Sequence, residues 1–225
     1  MRRRRRQTLA LLGAASSGML GWPVAALPAC IVTPAQTEGP FFIDTGLKRS
    51  DIRDDTGAGA RSPGIPLALS LRVSAVTASA CAPLTDALVE VWHCDAAGIY
   101  SGTSAAMGRR FLRGYQPTDS DGEVRFLTIY PGWYPGRAIH IHFKVIAKNV
   151  SGRRVEFTSQ LYFDEAVNAR VMSQPPYNAR HDSRRVLNER DFLYRDGGRQ
   201  LTTTPVARNT EARDYSATFS IGLRL

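Results

Sequence analysis

From residue 67 onward the chain is a succession of short segments in which apolar and polar positions alternate. The clearest alternation runs through Leu67, Leu69, Leu71 and Val73, and again through Ile139, Ile141 and Phe143. A period of two places every second side chain on one face, so each run predicts a β-strand with a buried side. Strands are expected over 67–76, 87–94, 123–129, 138–147, 154–163 and 215–225, bounded by turn pairs such as Ala97-Gly98, Asp121-Gly122 and Ser151-Gly152. Only 164–173 has a helical pattern, opening on acidic residues and stopping before Pro175-Pro176. The charged stretch 177–198 reads as a loop with one helical turn. Residues 31–66, rich in Gly, Pro, Asp and Thr and without a sustained period, read as an irregular arm laid over the core. Regular strands with no long helices between them predict an all-β fold, an antiparallel β-sandwich. No repeat or linker divides the chain, so residues 30–225 are expected to form one domain with the arm at 30–66.

The first 29 residues have a different character. Five arginines, Arg2 to Arg6, precede an apolar stretch from Leu9 to Leu20, the n-region and h-region of an export signal. Arg5-Arg6 is also compatible with a twin-arginine signal, although Thr8 replaces the usual apolar residue. This changes the meaning of the charge. The chain carries 29 basic and 20 acidic residues, +9 in all, and without the leader 24 basic residues face 20 acidic ones, or +4. A nucleic-acid partner is therefore not indicated. No apolar run after residue 30 approaches the roughly 20 residues of a membrane span. The expected location is periplasmic or extracellular, with lipid anchoring at Cys30 as the lesser alternative because Pro28 fits a lipoprotein box poorly. Of Cys30, Cys81 and Cys94, the last lies in an apolar strand pattern, which leaves Cys30–Cys81 as the expected disulfide.

Candidate chemistry begins at His140-Ile141-His142. Two histidines at i and i+2 on a strand project from the same face and can offer two imidazole nitrogens to one metal ion, although an isolated pair of this kind is also an ordinary polar stripe. Tyr134 lies in the turn Pro131-Gly132-Trp133-Tyr134-Pro135-Gly136 just before that strand, and Tyr100 follows the apolar strand ending at Cys94. Both phenols fall at strand ends, where a sandwich carries its sites. Either alone also suits packing. His93 reads as a buried, hydrogen-bonded histidine and His181 as a solvated one.

Taken in order, Thr37-Glu38-Gly39-Pro40-Phe41-Phe42, the run from Val91 to Ser101, the run from Gly122 to Gly132, and Arg137-Ala138-Ile139-His140-Ile141-His142-Phe143 resemble the intradiol ring-cleavage dioxygenases. The likeness extends from about Thr37 to Phe163. It implies a β-sandwich holding one non-haem Fe(III) per chain through Tyr100, Tyr134, His140 and His142. The implied activity is cleavage of catechol-type substrates with O2 to cis,cis-muconate-type diacids. The same resemblance gives Tyr134 and His142 axial and Tyr100 and His140 equatorial positions, with Tyr134 displaced by substrate and free to take up a proton. It makes Arg137 the stabiliser of charge on the substrate ring and Gln160 its partner or a substrate contact. Pro40, with Phe41 and Phe42, is expected to wall the substrate pocket.

Two departures matter. Only five residues separate Tyr134 from His140, a shorter loop than in the well-known cytoplasmic members, and no long N-terminal helical segment is present for dimerisation. Both resemble a shorter, exported subgroup and leave substrate and oligomeric state open. The rival reading is a non-catalytic secreted β-sandwich, a carrier or adhesion module with a structural metal such as zinc. Two tyrosine ligands would be unusual for zinc.

Overall fold

The computed structural model describes residues 31–225 apart from 56–59, 79, 181, 185, 210 and 212, so the leader, Cys30 and His181 lie outside the described residues. Among the described residues, ten strands follow the arm: β1 (Pro66–Val76), β2 (Cys81–Pro83), β3 (Leu88–Trp92), β4 (Arg113–Pro117), β5 (Glu123–Ile129), β6 (His140–Lys148), β7 (Arg154–Phe163), β8 (Thr202–Thr203), β9 (Val206–Ala207) and β10 (Tyr215–Leu223). Between β7 and β8 come two short helices, α1 (Glu165–Met172) and α2 (Phe192–Arg195). The strands form two five-stranded sheets. One runs β2, β1, β10, β9 with β5 also on β1, and the other runs β4, β3, β6, β7, β8.

The alternation read from the sequence becomes the interior. Leu67, Leu69, Leu71 and Val73 of β1 and Phe126 of β5 meet Val89 and Val91 of β3, Ile141, Phe143 and Val145 of β6 and Leu161 of β7 in one buried cluster between the sheets. This is a β-sandwich, as expected, but its sheets are mixed rather than antiparallel throughout. β10 runs parallel to β1 from Leu67 opposite Tyr215 to Ala75 opposite Leu223, and β8 is parallel to β7. Parallel neighbours need a long crossover, and the stretch 164–214 supplies it by returning the chain to the end from which β1 starts.

Strand bounds match the sequence reading closely at β5 and β7, whereas β2 and β4 have no counterpart in it. β4, Arg-Gly-Tyr-Gln-Pro, has no apolar alternation and is held as a strand by its ladder to β3, from Trp92 opposite Arg113 to Leu88 opposite Pro117. Asp164 caps α1 by accepting from Ala166 N–H at 2.9 Å and Val167 N–H at 3.2 Å. Cys81 is disulfide-bonded and Cys94 is a buried free thiol. Among the described residues, no helix is long and apolar enough to cross a membrane.

Around His140 and His142 the second sheet is covered on both faces, and this positions the site. Its inner face packs on the core. Its outer face bears His140, His142, Lys144, Gln160 and Tyr162, each less than a tenth exposed. The cover is the arm, tied down by Ser159 Oγ to Pro34 carbonyl at 2.7 Å, Gln160 Nε2 to Thr37 carbonyl at 2.9 Å, Arg113 to Phe41 carbonyl at 2.8 Å, and a Lys144–Glu38 ion pair. The core assignment is checked at Leu69, which is 1% exposed. Leu69→Ala is expected to cost about 2–5 kcal/mol, read as a lower urea midpoint, and a loss under about 1 kcal/mol would place it outside the packed interior.

Candidate metal centre

β6 fixes the two imidazoles. His140 and His142 share the outer face by the period of two, while Ile141 between them enters the core. Across the sheet, His142 lies opposite Trp92 of β3 and Gln160 of β7, and His140 lies opposite Tyr162. The Trp92 indole stacks on the His142 ring at 5.0 Å between centroids and 7° between planes, holding that imidazole flat. Gly39 of the arm closes over the other ring edge. It has φ +73°, and a Cβ there would lie 3.3 Å from His142 Cε1.

The phenols arrive on two loops. Tyr100 ends a turn built on Asp95, whose Oδ1 accepts from the N–H groups of Ala97 and Ile99, both at 2.9 Å. Arg113, itself 1% exposed, holds the next residue by donating to the Ser101 carbonyl at 2.7 Å and Ser101 Oγ at 2.9 Å. Phe41 stacks on Tyr100 at 4.5 Å and meets Tyr134 edge-on at 5.5 Å. Tyr134 comes from the turn after β5, where Gly132 presses against the Asp95 and Ala96 carbonyls so closely that no side chain fits.

The four groups converge. His140 Nε2 lies 3.0 Å from His142 Nε2, 3.4 Å from the Tyr100 hydroxyl and 3.4 Å from the Tyr134 hydroxyl. His140 Nδ1 is 2.7 Å from the Ala138 carbonyl, which only accepts, so Nδ1 carries the proton and Nε2 presents its lone pair. Burial holds His140 neutral, pushing its pKa down to about 3, and pushes that of His142 lower as well. Burial raises Tyr100 well above the ordinary phenol range and takes Tyr134 to about 12, with the Arg137 charge opposing the rise at both.

This donor set fits a metal ion. Groups bonded to one ion at about 2.0–2.2 Å stand roughly 3 Å from one another, which is the spacing found. Among the described residues no group of three His, Cys, Asp or Glu gathers, so the phenols are needed to complete a donor set. Two neutral nitrogens and two phenolic oxygens suit iron, and a bound cation would supply the charge that stabilises phenolates in so buried a place.

Beside the cluster, Arg137 is bonded through two of its three nitrogens. Its Nε donates to Asp191 Oδ2 at 2.8 Å, and a terminal nitrogen donates to Gln160 Oε1 at 2.6 Å and to the Tyr162 hydroxyl at 3.1 Å. The structure thus brings together Tyr100, Tyr134, His140, His142, Arg137 and Gln160. Pro40 occupies an exposed turn, and the aromatic contacts belong to its neighbours Phe41 and Phe42. His93 is buried apart, with Nδ1 at 2.8 Å from the Cys94 carbonyl and Nε2 at 2.6 Å from Thr128 Oγ1. Sequence reasoning missed Trp92, Arg113, Tyr162 and Asp191. Trp92 and Tyr162 share the strand-face period with the histidines and were legible in that pattern, whereas Arg113 and Asp191 had no such signal.

Comparisons with known proteins give the family of the chain. The family described as Dioxygenase matches residues 37–182, more than half of the chain. A solved intradiol ring-cleavage dioxygenase from Tetranychus urticae is 32% identical with a TM-score of 0.72, over 87% of this chain and 95% of its own. Catechol 1,2-dioxygenase 1 of Acinetobacter lwoffii is 25% identical over 208 residues, 80% of this chain and 64% of that protein. The protocatechuate 3,4-dioxygenase beta chain of Burkholderia cepacia is 39% identical over 93 residues, 36% of this chain and 38% of that protein. The chain therefore covers less than two thirds of the length of these curated relatives. It belongs to the intradiol ring-cleavage dioxygenase family.

The buried imidazoles give the metal-free protein a defined acid response. His93 and His140 have folded pKa values near 4 and 3, below the ordinary 6.5, because burial disfavours their charged forms. The unfolded chain therefore binds more protons as pH falls below 6.5, and stability present above that value is lost towards pH 4 and below. The melting temperature of metal-free protein should fall steadily from pH 7 to pH 4, and less steeply in His93→Gln. Equal slopes would mean that His93 titrates normally in the fold.

Proposed function

We propose that the protein is a non-haem Fe(III) dioxygenase cleaving catechol-type rings between the two hydroxyl-bearing carbons, with Tyr100, Tyr134, His140 and His142 as the iron ligands. The observation that carries this reading is the convergence of two phenols on two neutral imidazoles in a chain of this family. Bound ferric ion would supply a Lewis acid for the two substrate oxygens and the redox character that opens the ring to O2. Both oxygen atoms end in the product, a cis,cis-muconate-type diacid, so no external reductant is needed.

The protein's residues divide the remaining work. Tyr134 is half-buried whereas Tyr100 is 2% exposed, which makes Tyr134 the phenol able to leave its place and take a substrate proton at its oxygen. Arg137 directs fixed positive charge toward this end of the cluster, where negative charge grows on the substrate ring. Gln160 holds that guanidinium from one side. Phe41 offers an aromatic face to a planar substrate, and Pro40 belongs to the same turn. Export to the periplasm or cell exterior is part of the proposal on the strength of the leader pattern, and a disulfide at Cys81 accords with an oxidising compartment. The carrier reading would require zinc or another redox-silent ion to accept two phenols, a donor set foreign to structural zinc sites.

Iron-loaded protein should be red to burgundy from phenolate-to-iron charge transfer, change colour on anaerobic addition of catechol, and then consume O2. Folded protein that stays colourless in ferric iron would overturn the proposal. Tyr134→Phe should weaken the visible band and slow turnover by about 10²-fold with little loss of melting temperature. Arg137→Ala should keep the iron and cut kcat by about 10²-fold or more. Loss of iron from that variant would make Arg137 a support of the ligand set instead.

A further inference from the structure

Arg137 is one member of a closed ring of hydrogen bonds whose other members come from distant parts of the chain. Its Nε donates to Asp191 Oδ2 at 2.8 Å. Asp191 Oδ1 accepts from the N–H of Leu193 at 2.8 Å and of Tyr194 at 3.3 Å, capping α2. The Leu193 carbonyl accepts from Gln36 Nε2 of the arm at 2.6 Å. Gln36 Oε1 accepts from the Tyr162 hydroxyl at 3.0 Å, and that hydroxyl accepts from Arg137 at 3.1 Å. Asp191 Oδ2 also accepts from the Ala138 N–H at 2.8 Å, so one carboxylate oxygen pins both the side chain of Arg137 and the peptide that follows it.

Asp191 is suited to this task. It is 1% exposed, and although burial pushes its pKa up, the Ala138 N–H and the Arg137 charge hold it below the ordinary carboxyl range. Its side chain is fully enclosed and that of Arg137 is 12% exposed, so the pair is screened from water. A long side chain such as arginine has many rotamers, and a stabiliser of developing charge acts only if its direction is fixed before the reaction. Gln160 and Tyr162 hold a terminal nitrogen of the guanidinium, and Asp191 is the partner of its Nε.

We infer that Asp191 is the positioning residue of Arg137, locking the guanidinium in the direction that faces the reacting ring. The inference rests on the role given to Arg137 above. Asp191→Asn removes the negative charge of the pair, and whichever way the amide turns, either the α2 cap donors or the Arg137 and Ala138 donors meet an NH2 group instead of an oxygen. Iron-loaded Asp191→Asn should retain its visible band and its iron, with kcat lowered about 10²-fold and KM within about 3-fold. In an Arg137→Ala background the same substitution should lower kcat by no more than about 2-fold, because the group it positions is gone. Val171→Ala, a buried change in α1 away from the ring, should lower the melting temperature without changing kcat.

The metal-free protein gives a readout independent of turnover. Asp191→Asn should lower the melting temperature of the parent chain and leave unchanged or raise that of Arg137→Ala, where Asp191 is a buried charge without its partner. If Asp191→Asn does not fold, Gln36→Ala, which opens the same ring in the half-buried arm, should lower kcat about 5-fold or more at unchanged KM. A parent enzyme that is coloured and active beside an Asp191→Asn variant of unchanged kcat would overturn this inference alone. Additive melting shifts in the two backgrounds would do the same. A parent that takes no iron and no O2 while the melting coupling persists would overturn the functional reading and leave only a structural pair.

Discussion

Burying the outer face of the second sheet is the constraint from which the rest follows. Sheets of a sandwich ordinarily keep one face wet, but here the arm and loops cover that face, and the strand bearing both histidines is enclosed on both sides. Enclosure, with the nearby Arg137 charge acting in the same direction, keeps the imidazoles neutral and makes their lone pairs available. It also leaves the phenols protonated until a positive charge arrives. The cover is held by polar bonds as well as by the packing of Phe41 on Tyr100 and Phe42 on Trp92: Ser159, Gln160 and Arg113 each donate to an arm carbonyl, and Lys144 pairs with Glu38. The groups that shape the proposed centre and those that fasten its lid are therefore partly the same residues, Gln160 most plainly.

That overlap lets neutral burial coexist with the proposed reactivity. β6 spends its odd positions, Ile141, Phe143 and Val145, on the hydrophobic core and its even positions, His140, His142 and Lys144, on polar work. Core packing fixes the backbone, and the backbone fixes where the imidazoles point. Trp92 performs the same service from the neighbouring strand by stacking on His142.

Much of this was legible along the chain because strand periodicity is local. The alternation at 67–73 and 139–143 gave the strands, and the i, i+2 spacing of His140 and His142 gave a shared face. Tyr100 and Tyr134 entered through their turns and through family resemblance; the turn before β6 brings Tyr134 to His140, whereas nothing local brings residue 100 there. Asp191 was hidden for the opposite reason: it lies in a highly charged stretch where a buried carboxylate looks like its solvated neighbours, and its partner is 54 residues away. Arg113 was hidden because a strand without alternation gave no face on which to place it. The parallel setting of β10 depends on a long-range register that no local pattern encodes.

That setting governs how the molecule can be assembled. β1 acquires one of its flanking partners only when the segment 215–223 is in place, so until then it presents an open edge of backbone donors and acceptors. Loops that long make the closing contact slow to find and place it late. Synthesis must therefore run past residue 223 before the sandwich can shut. A chain that stops short of residue 215 would expose that edge to its neighbours instead of yielding a smaller working protein.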